Sequence, residues 1–351
     1  VCDCCTLQDG AEAADDLLED VFRVPVEKAL NPLHAVQFVT MIRRLSRSLR
    51  AKAGPIEQEV SEKAKELVDA NWPELSASAR DNKLQEVSDL MEGAAEREMP
   101  LIYSVFDANA SQIVGATRKR VAEKFDLSIS ASLTDRDQTT SDNLRDTNTL
   151  FVRNNYLQVS STLSEKARDI VASGLEKGFG REDISADLIE AMGSAKRPDG
   201  YWNMIATVFS NRARNFTQIH AFQEAEILAY IWESVVDEVT SDQCRFLHGR
   251  EFSIETVAKR IERVQAAEDP EDILNIMPWI RKGRNDDGDL SLYYKVGEKR
   301  HEVCVIDETG EGESDKIGKY SNGMATEALA KAGLSLPPIH GSCRSTVIPA
   351  G

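Results

Sequence analysis

The sequence predicts an α+β protein: a mostly helical N-terminal half, then a helical lead-in and a small β-sheet closed by a Cys/His clasp. Three observations carry this. Apolar residues recur at helical spacing through most of residues 32–226. Runs of β-branched and aromatic residues begin only after that stretch. Two short Cys/His pairs lie in the same later region, about 90 residues apart. At 351 residues, the length suits two domains with a sizeable core.

Asn31-Pro32 offers an N-cap and a first-turn proline, and Gly54-Pro55 offers a stop, so one helix is expected over 32–53. On it Ile42, Leu45, Leu49 and Ala53 share one face and Arg43, Arg47 and Arg50 another. Ile56, Val60, Ala64, Leu67 and Val68 form a stripe up to Trp72-Pro73. Leu84, Val87, Leu90, Met91 and Ala94 form another before Pro100, and 101–124 continue in kind. Residues 1–125 therefore read as a helical region, 126–148 as a polar, turn-rich linker, and 149–351 as a second domain. That domain opens with helices over 149–173, 181–192 and 201–226. Strands follow at 230–236, at 293–296 and 302–306 around a Gly297-Glu298 turn, and at 345–348. Residues from about 255 to 335 read as an insertion within it.

Charge narrows the partners. With 42 basic and 59 acidic residues the net charge is −17, which excludes a grip on nucleic acid through the whole surface. Positive charge is concentrated once, at Arg43, Arg44, Arg47, Arg50 and Lys52, whereas residues 1–20 carry seven acidic groups and no basic one. The basic helix is a candidate contact for nucleic acid or an acidic partner; the plainer reading is a solvated face paired with the acidic N-terminus. No apolar run approaches the roughly 18 residues of a membrane span. Val1-Cys2-Asp3-Cys4-Cys5 lacks the basic-then-apolar layout of a signal peptide, so neither a membrane nor a secreted protein is expected.

Six cysteines and five histidines are present, and four of them form the pairs Cys244/His248 and His340/Cys343. Two Cys and two His complete a tetrahedral zinc set, so a structural zinc is the candidate cofactor, with a metal-free hydrogen-bonded cluster as the competing reading. A closed four-ligand site leaves no position for water and argues against catalysis. A Cys343 nucleophile with His340 as base is disfavoured, because a shared turn seldom presents base and nucleophile correctly. Cys2, Cys4 and Cys5 read as a reduced thiol cluster. Glu224-Ala225-Glu226 has the Glu-x-Glu spacing of ADP-ribosylating toxins, but it falls at a helix end, where acids are mostly solvated. Phosphate-binding glycine loops, Gly-x-Ser-x-Gly and His-Glu-x-x-His do not occur.

From about 149 to 349 the chain resembles the head-morphogenesis, or minor capsid, family of tailed bacteriophages (phage Mu F-like). The resemblance runs through Ile170 to Gly178, Asp183-Ile184 to Leu188, and Arg212, Arg214 and Asn215. Its more specific part is Trp232 to Asp237, Thr240 to Cys244, Leu247-His248-Gly249-Arg250-Glu251-Phe252 and Pro337-Pro338-Ile339-His340-Gly341-Ser342-Cys343-Arg344. The family pattern often adds a cysteine at the positions of Ser241 and Ser345, so zinc binding here would depend on His248. The resemblance implies a virion protein inside the head or at the portal vertex, meeting the portal protein and other head proteins and assisting assembly, DNA packaging or ejection. The basic helix would then face packaged DNA. The alternative it leaves is a toxin-like or metal-dependent enzyme on the same domain.

Overall fold

The computed structural model describes residues 36–193 and 200–350. The cysteines at 2, 4 and 5, the acidic stretch 1–20 and the Asn31-Pro32 cap lie outside them. Helix α1 (Val36–Val68) runs through the expected stop and carries Pro55 inside it. Proline removes one helix hydrogen bond and crowds the preceding turn, at about 3 kcal/mol. Burial on both sides outweighs that cost: Leu45, Leu49 and Ala53 are fully buried before it, and Ile56 and Val60 pack on Met91, Ala94 and Ala95 after it. Pro100 is likewise interior to helix α2 (Ala77–Lys124), between the buried Ala94 and Ala95 and the buried Ile102 and Phe106.

Residues 126–148, expected as a linker, are helical from Asp135 onward, because helix α3 spans Asp135–Glu176. The cause is a reciprocal cap: Asp137 N–H donates to Thr134 Oγ1 at 3.3 Å, and Thr134 N–H donates to Asp137 Oδ2 at 3.0 Å. Helix α4 (Arg181–Gly193) follows, and helix α5 (Tyr201–Glu224) opens the remainder.

The described residues form two compact units. One comprises 47–105 and 149–193. Its core joins Val68, Trp72, Leu84, Ala167, Val171, Ile184 and Leu188. A Cβ on Gly174 would sit 2.7 Å from Ile184 Cγ1, so this close helix contact requires glycine.

The other unit comprises 36–46, 106–148 and 200–350. After α5 come strand β1 (Ala229–Glu233), the short helix α6 (Asp242–Leu247), strand β2 (Glu251–Ser253) and helices α7 (Ile254–Gln265) and α8 (Pro270–Ile276). Strands β3 (Ile280–Arg284), β4 (Leu290–Val296), β5 (Lys299–Glu308) and β6 (Lys319–Ser321) precede helix α9 (Thr326–Ala332) and strand β7 (Thr346–Pro349). The chain is thus α+β, with two antiparallel sheets where one was expected: β2-β1-β7 and β3-β4-β5-β6. The second sheet belongs to the insertion. Its β4–β5 hairpin turns at Gly297-Glu298 as predicted, with Gly297 at φ 58° supplying the left-handed first position.

The buried Arg118 holds α2, α3 and α5 together. It donates to Ser130 O at 2.6 Å and Asp137 Oδ2 at 3.0 Å, and pairs with Glu224. His220 is buried beside it, with Nδ1 3.5 Å from Thr140 Oγ1. Burial holds its pKa down to about 4, with Asp137 pulling up and Arg136 and Arg118 pushing down. In the unfolded chain the imidazole titrates near 6.5. Between about 6.5 and 4 the unfolded state binds a proton that the folded state refuses, so stability present above 6.5 falls, by roughly 3 kcal/mol across the window. His220→Gln is expected to flatten this slope. Urea midpoints at pH 7 and pH 4.5 check it, and an equal drop in both proteins would refute it.

Candidate metal centre

The clasp is assembled from three places in the chain. Strand β1 is central in its sheet, with Trp232 opposite Val347 and Tyr230 opposite Phe252. Tyr230 and Trp232 are fully buried, as the β-branched and aromatic run predicts. Ser241 starts α6 as its N-cap, its Oγ accepting from Cys244 N–H at 3.4 Å. That cap sets the turn that carries Cys244 inward.

The segment from His340 to Val347 is held by α5. Asn211 Nδ2 donates to Cys343 O, Arg214 to Ser345 O at 3.4 Å, and Gln218 Nε2 to Val347 O at 3.3 Å. Residues 211, 214 and 218 lie on one helix face, and they hold carbonyls in the lead-in to β7 (Cys343 and Ser345) and in the strand itself (Val347). A row of helix side chains therefore fixes the segment that runs from the clasp into the sheet. Sequence reasoning missed it; the buried spacing of polar residues at 211, 214, 215 and 218 was the available signal.

Cys244, His340 and Cys343 meet here, and their ligand atoms all lie within 4.8 Å of one another. The two sulfurs are 3.7 Å apart, and Cys244 Sγ is 3.1 Å from His340 Nε2. A disulfide needs about 2.05 Å, whereas two thiolates on a tetrahedral zinc stand about 3.8 Å apart. The donor set and spacing fit a metal. The two thiols are linked by their own contact: the hydrogen bond to Cys343, then burial, raises the Cys244 thiol. Burial opposes ionisation of Cys343, but the Cys244 hydrogen bond and the His340 ring hold its pKa down. Metal binding would favour the thiolate form of both.

His248 does not join them. Its Nδ1 accepts from Ser234 N–H at 3.2 Å and lies 3.9 Å from Glu233 Oε2. It sits at the C-cap of α6, whose short turn presents it away from the thiols. The expected Cys2His2 set is therefore corrected to Cys2His, and the closed-site argument against catalysis no longer follows from ligand count. Ser241 and Ser345 stand at the group instead: Ser241 Oγ is 3.0 Å from His340 Nε2, and the hydroxyls of both hydrogen-bond Cys244. A small cleft lined by Val235, Val239, Ser241, His340, Ser342 and Ser345 adjoins the group.

Surrounding polar contacts brace the clasp. Arg344 pairs with Asp237, whose Oδ2 lies 2.9 Å from Nη1. Burial raises the Asp237 pKa, but the hydrogen bonds from Arg344 and Thr240 outweigh it and hold the carboxyl below its ordinary range. Ser234 Oγ bonds Cys244 O at 2.9 Å and Ser345 Oγ at 2.8 Å. Arg245, fully buried, donates to Thr240 O at 2.8 Å and Glu313 O at 2.9 Å, and also to Asp237 O and Lys316 O. Asp242, also fully buried, accepts from Lys282 Nζ and Thr309 Oγ1 at 2.8 Å each and from Tyr320 OH at 3.0 Å. The inserted sheet is thereby tied to the turn that carries Cys244.

The other candidates lie elsewhere. Glu224 is engaged by Arg118 and by Ser130 N–H at 3.1 Å, and Glu226 lies beyond the helix end with φ 58°. Arg43, Arg44, Arg47, Arg50 and Lys52 are all exposed on α1, opposite the buried Leu45, Leu49 and Ala53. Among the described residues no helix is long and apolar enough to cross a membrane. No family model, curated protein or solved structure matches the chain.

Proposed function

We propose that this chain is a structural interaction protein of a tailed-phage head, of the head-morphogenesis type, with Cys244, His340 and Cys343 holding a structural zinc. One observation carries the reading. The two halves of the sequence pattern, nearly a hundred residues apart, converge: Cys244 meets His340 and Cys343, and Asp237 meets Arg344. Burial of all three ligands supports a metal that stabilises the fold, because such a site joins segments that the chain alone would leave apart.

A metal-dependent hydrolase is the second reading, and the cleft beside a three-ligand group favours it. Against it, His340 Nδ1 is buried with no hydrogen-bond partner, so the ligand ring lacks the carboxylate or carbonyl support behind it that tuned metal sites usually supply. In the head-protein reading, the amphipathic helices provide contact with the portal and other head proteins. The net charge of −17 keeps most of the surface off packaged DNA, leaving the exposed cations of α1 to meet it. Imaging and mass analysis of purified virions and portal complexes test the role. The protein is expected in one or both at low copy, and its absence from both would end the proposal.

A further inference from the structure

The carboxyl of Asp242, the first residue of α6, is the meeting point of three further segments. From β3, Lys282 Nζ donates to Asp242 Oδ2 at 2.8 Å and to Glu311 Oε2 at 2.8 Å. The turn after β5 brings the Thr309 hydroxyl, which donates to Oδ2 at 2.8 Å, and Gly310 N–H, which donates to Oδ1 at 3.2 Å. From β6, Tyr320 OH donates to Oδ1 at 3.0 Å. Glu311 is itself fixed: its Oε1 accepts from Asp242 N–H at 2.9 Å, and its own N–H donates to Thr309 Oγ1 at 3.1 Å. Lys63, Lys259 and Lys319 also pair with carboxylates, but those are 37–78% exposed, whereas the Asp242 side chain is 0% exposed. The lysine thus stands between a dry carboxyl and a second carboxylate, and two donors hold the oxygen of the dry one that the lysine does not touch.

We propose that this group is a self-modification site, where Lys282 condenses with Asp242 into an intramolecular isopeptide bond joining β3 to α6. Nζ passes one proton to Oδ2 across their hydrogen bond and, now neutral, attacks Cγ. Charge developing on Oδ1 meets donors already aimed at it, Gly310 N–H and Tyr320 OH, which serve as an oxyanion hole. Glu311 acts as general base, taking a second proton from Nζ and delivering it to Oδ2, which leaves as water. One Nζ–Cγ bond forms and one Cγ–Oδ2 bond breaks. Two protons move from nitrogen to the departing oxygen, so an ammonium and a carboxylate become an amide and a water with no co-reactant. The fold supplies what a free amine and acid lack, since well-oriented intramolecular groups reach effective concentrations of about 10⁵–10⁸ M. The pair rests as ions. Burial opposes this, but the hydrogen bonds from Lys282 and Thr309 keep the Asp242 carboxyl low, and those to Asp242 and Glu311 keep the Lys282 ammonium up. The first proton transfer is therefore the slow step, and the bond forms as the folded protein ages. The site requires neither the metal nor the head-protein role.

Mass analysis of the full chain, kept folded in solution until its mass is constant, decides the matter. The intact mass is expected to fall short of the sequence mass by one water. Tryptic digestion should give one branched peptide linking the segment with Asp242 to the segment with Lys282, uncut after Lys282 because the protease needs a free ammonium there. Lys282→Arg should keep the full sequence mass, since a guanidinium stays protonated and does not attack. Glu311→Gln should slow the loss of water at least about tenfold, with an unchanged urea midpoint of the freshly folded protein confirming that it folds. A parent protein that retains its full sequence mass overturns the proposal, whatever the variants do. So does a loss of water without the branched peptide, which would mark cyclisation of a single aspartate, and so does a branch at Glu311 in place of Asp242. A bond forming equally fast in Glu311→Gln would overturn the general-base assignment.

Discussion

Zinc-supplemented protein is expected to carry about one zinc per chain by elemental analysis, and Cys343→Ser only traces. Cys244 and Cys343 are buried 3.7 Å apart with His340 beside them; one serine leaves a single thiolate and a histidine, too few soft donors to retain the ion. A metal present at a thousand times its Kd adds about 4 kcal/mol to the folded state. At roughly 2–4 °C per kcal/mol for a domain of this size, loss of the site lowers the melting temperature by roughly 10 °C. A chelator should produce the same drop in the parent protein and none in the variant. Absence of metal together with unchanged melting of Cys343→Ser would sink the clasp. Ser241→Cys extends the test, since it places a third thiolate where an Oγ already lies 3.0 Å from His340 Nε2. It should tighten zinc on the order of tenfold or more, about 1.4 kcal/mol.

The second large effect falls on Arg245, whose guanidinium serves carbonyls at Asp237, Thr240, Glu313 and Lys316. Arg245→Met keeps the apolar stem and strands those acceptors, at about 1–3 kcal/mol for each that stays dry. A loss of roughly 4 kcal/mol in urea unfolding is expected, together with faster proteolysis around residues 313–316. Arg245→Lys should recover only part, because an ammonium has three donors and cannot reproduce the planar fork. A change below about 1 kcal/mol in Arg245→Met would show that the anchor does not hold the inserted sheet.

Much of the architecture was legible. The stripe Leu45, Leu49, Ala53 is buried as its spacing implies, and the Gly297-Glu298 turn joins the two strands expected on either side of it. Punctuation was less reliable. Pro55 and Pro100 lie inside helices because burial of neighbouring apolar residues exceeds the local cost. Residues 126–148 looked polar and turn-rich, yet Thr134 and Asp137 form a capping pair readable in the sequence and passed over. At the clasp, Cys244, His340 and Cys343 were found from type and spacing, and His248 was wrongly grouped with them.

The sequence by itself determined which segments are helix and strand over most of the described chain, and which few residues have the chemistry to hold a metal. Those properties are local: periodicity, β-branching and donor type are present whatever the rest of the chain does. Only the tertiary structure decided that His248 turns to Ser234, that Ser241 and Ser345 flank the thiols, and that Asn211, Arg214 and Gln218 hold the segment running from Cys343 into β7. Each of these depends on where a side chain of fixed reach is carried by elements around a hundred residues away, and hydrogen-bond geometry a few ångströms wide has no signature in linear spacing.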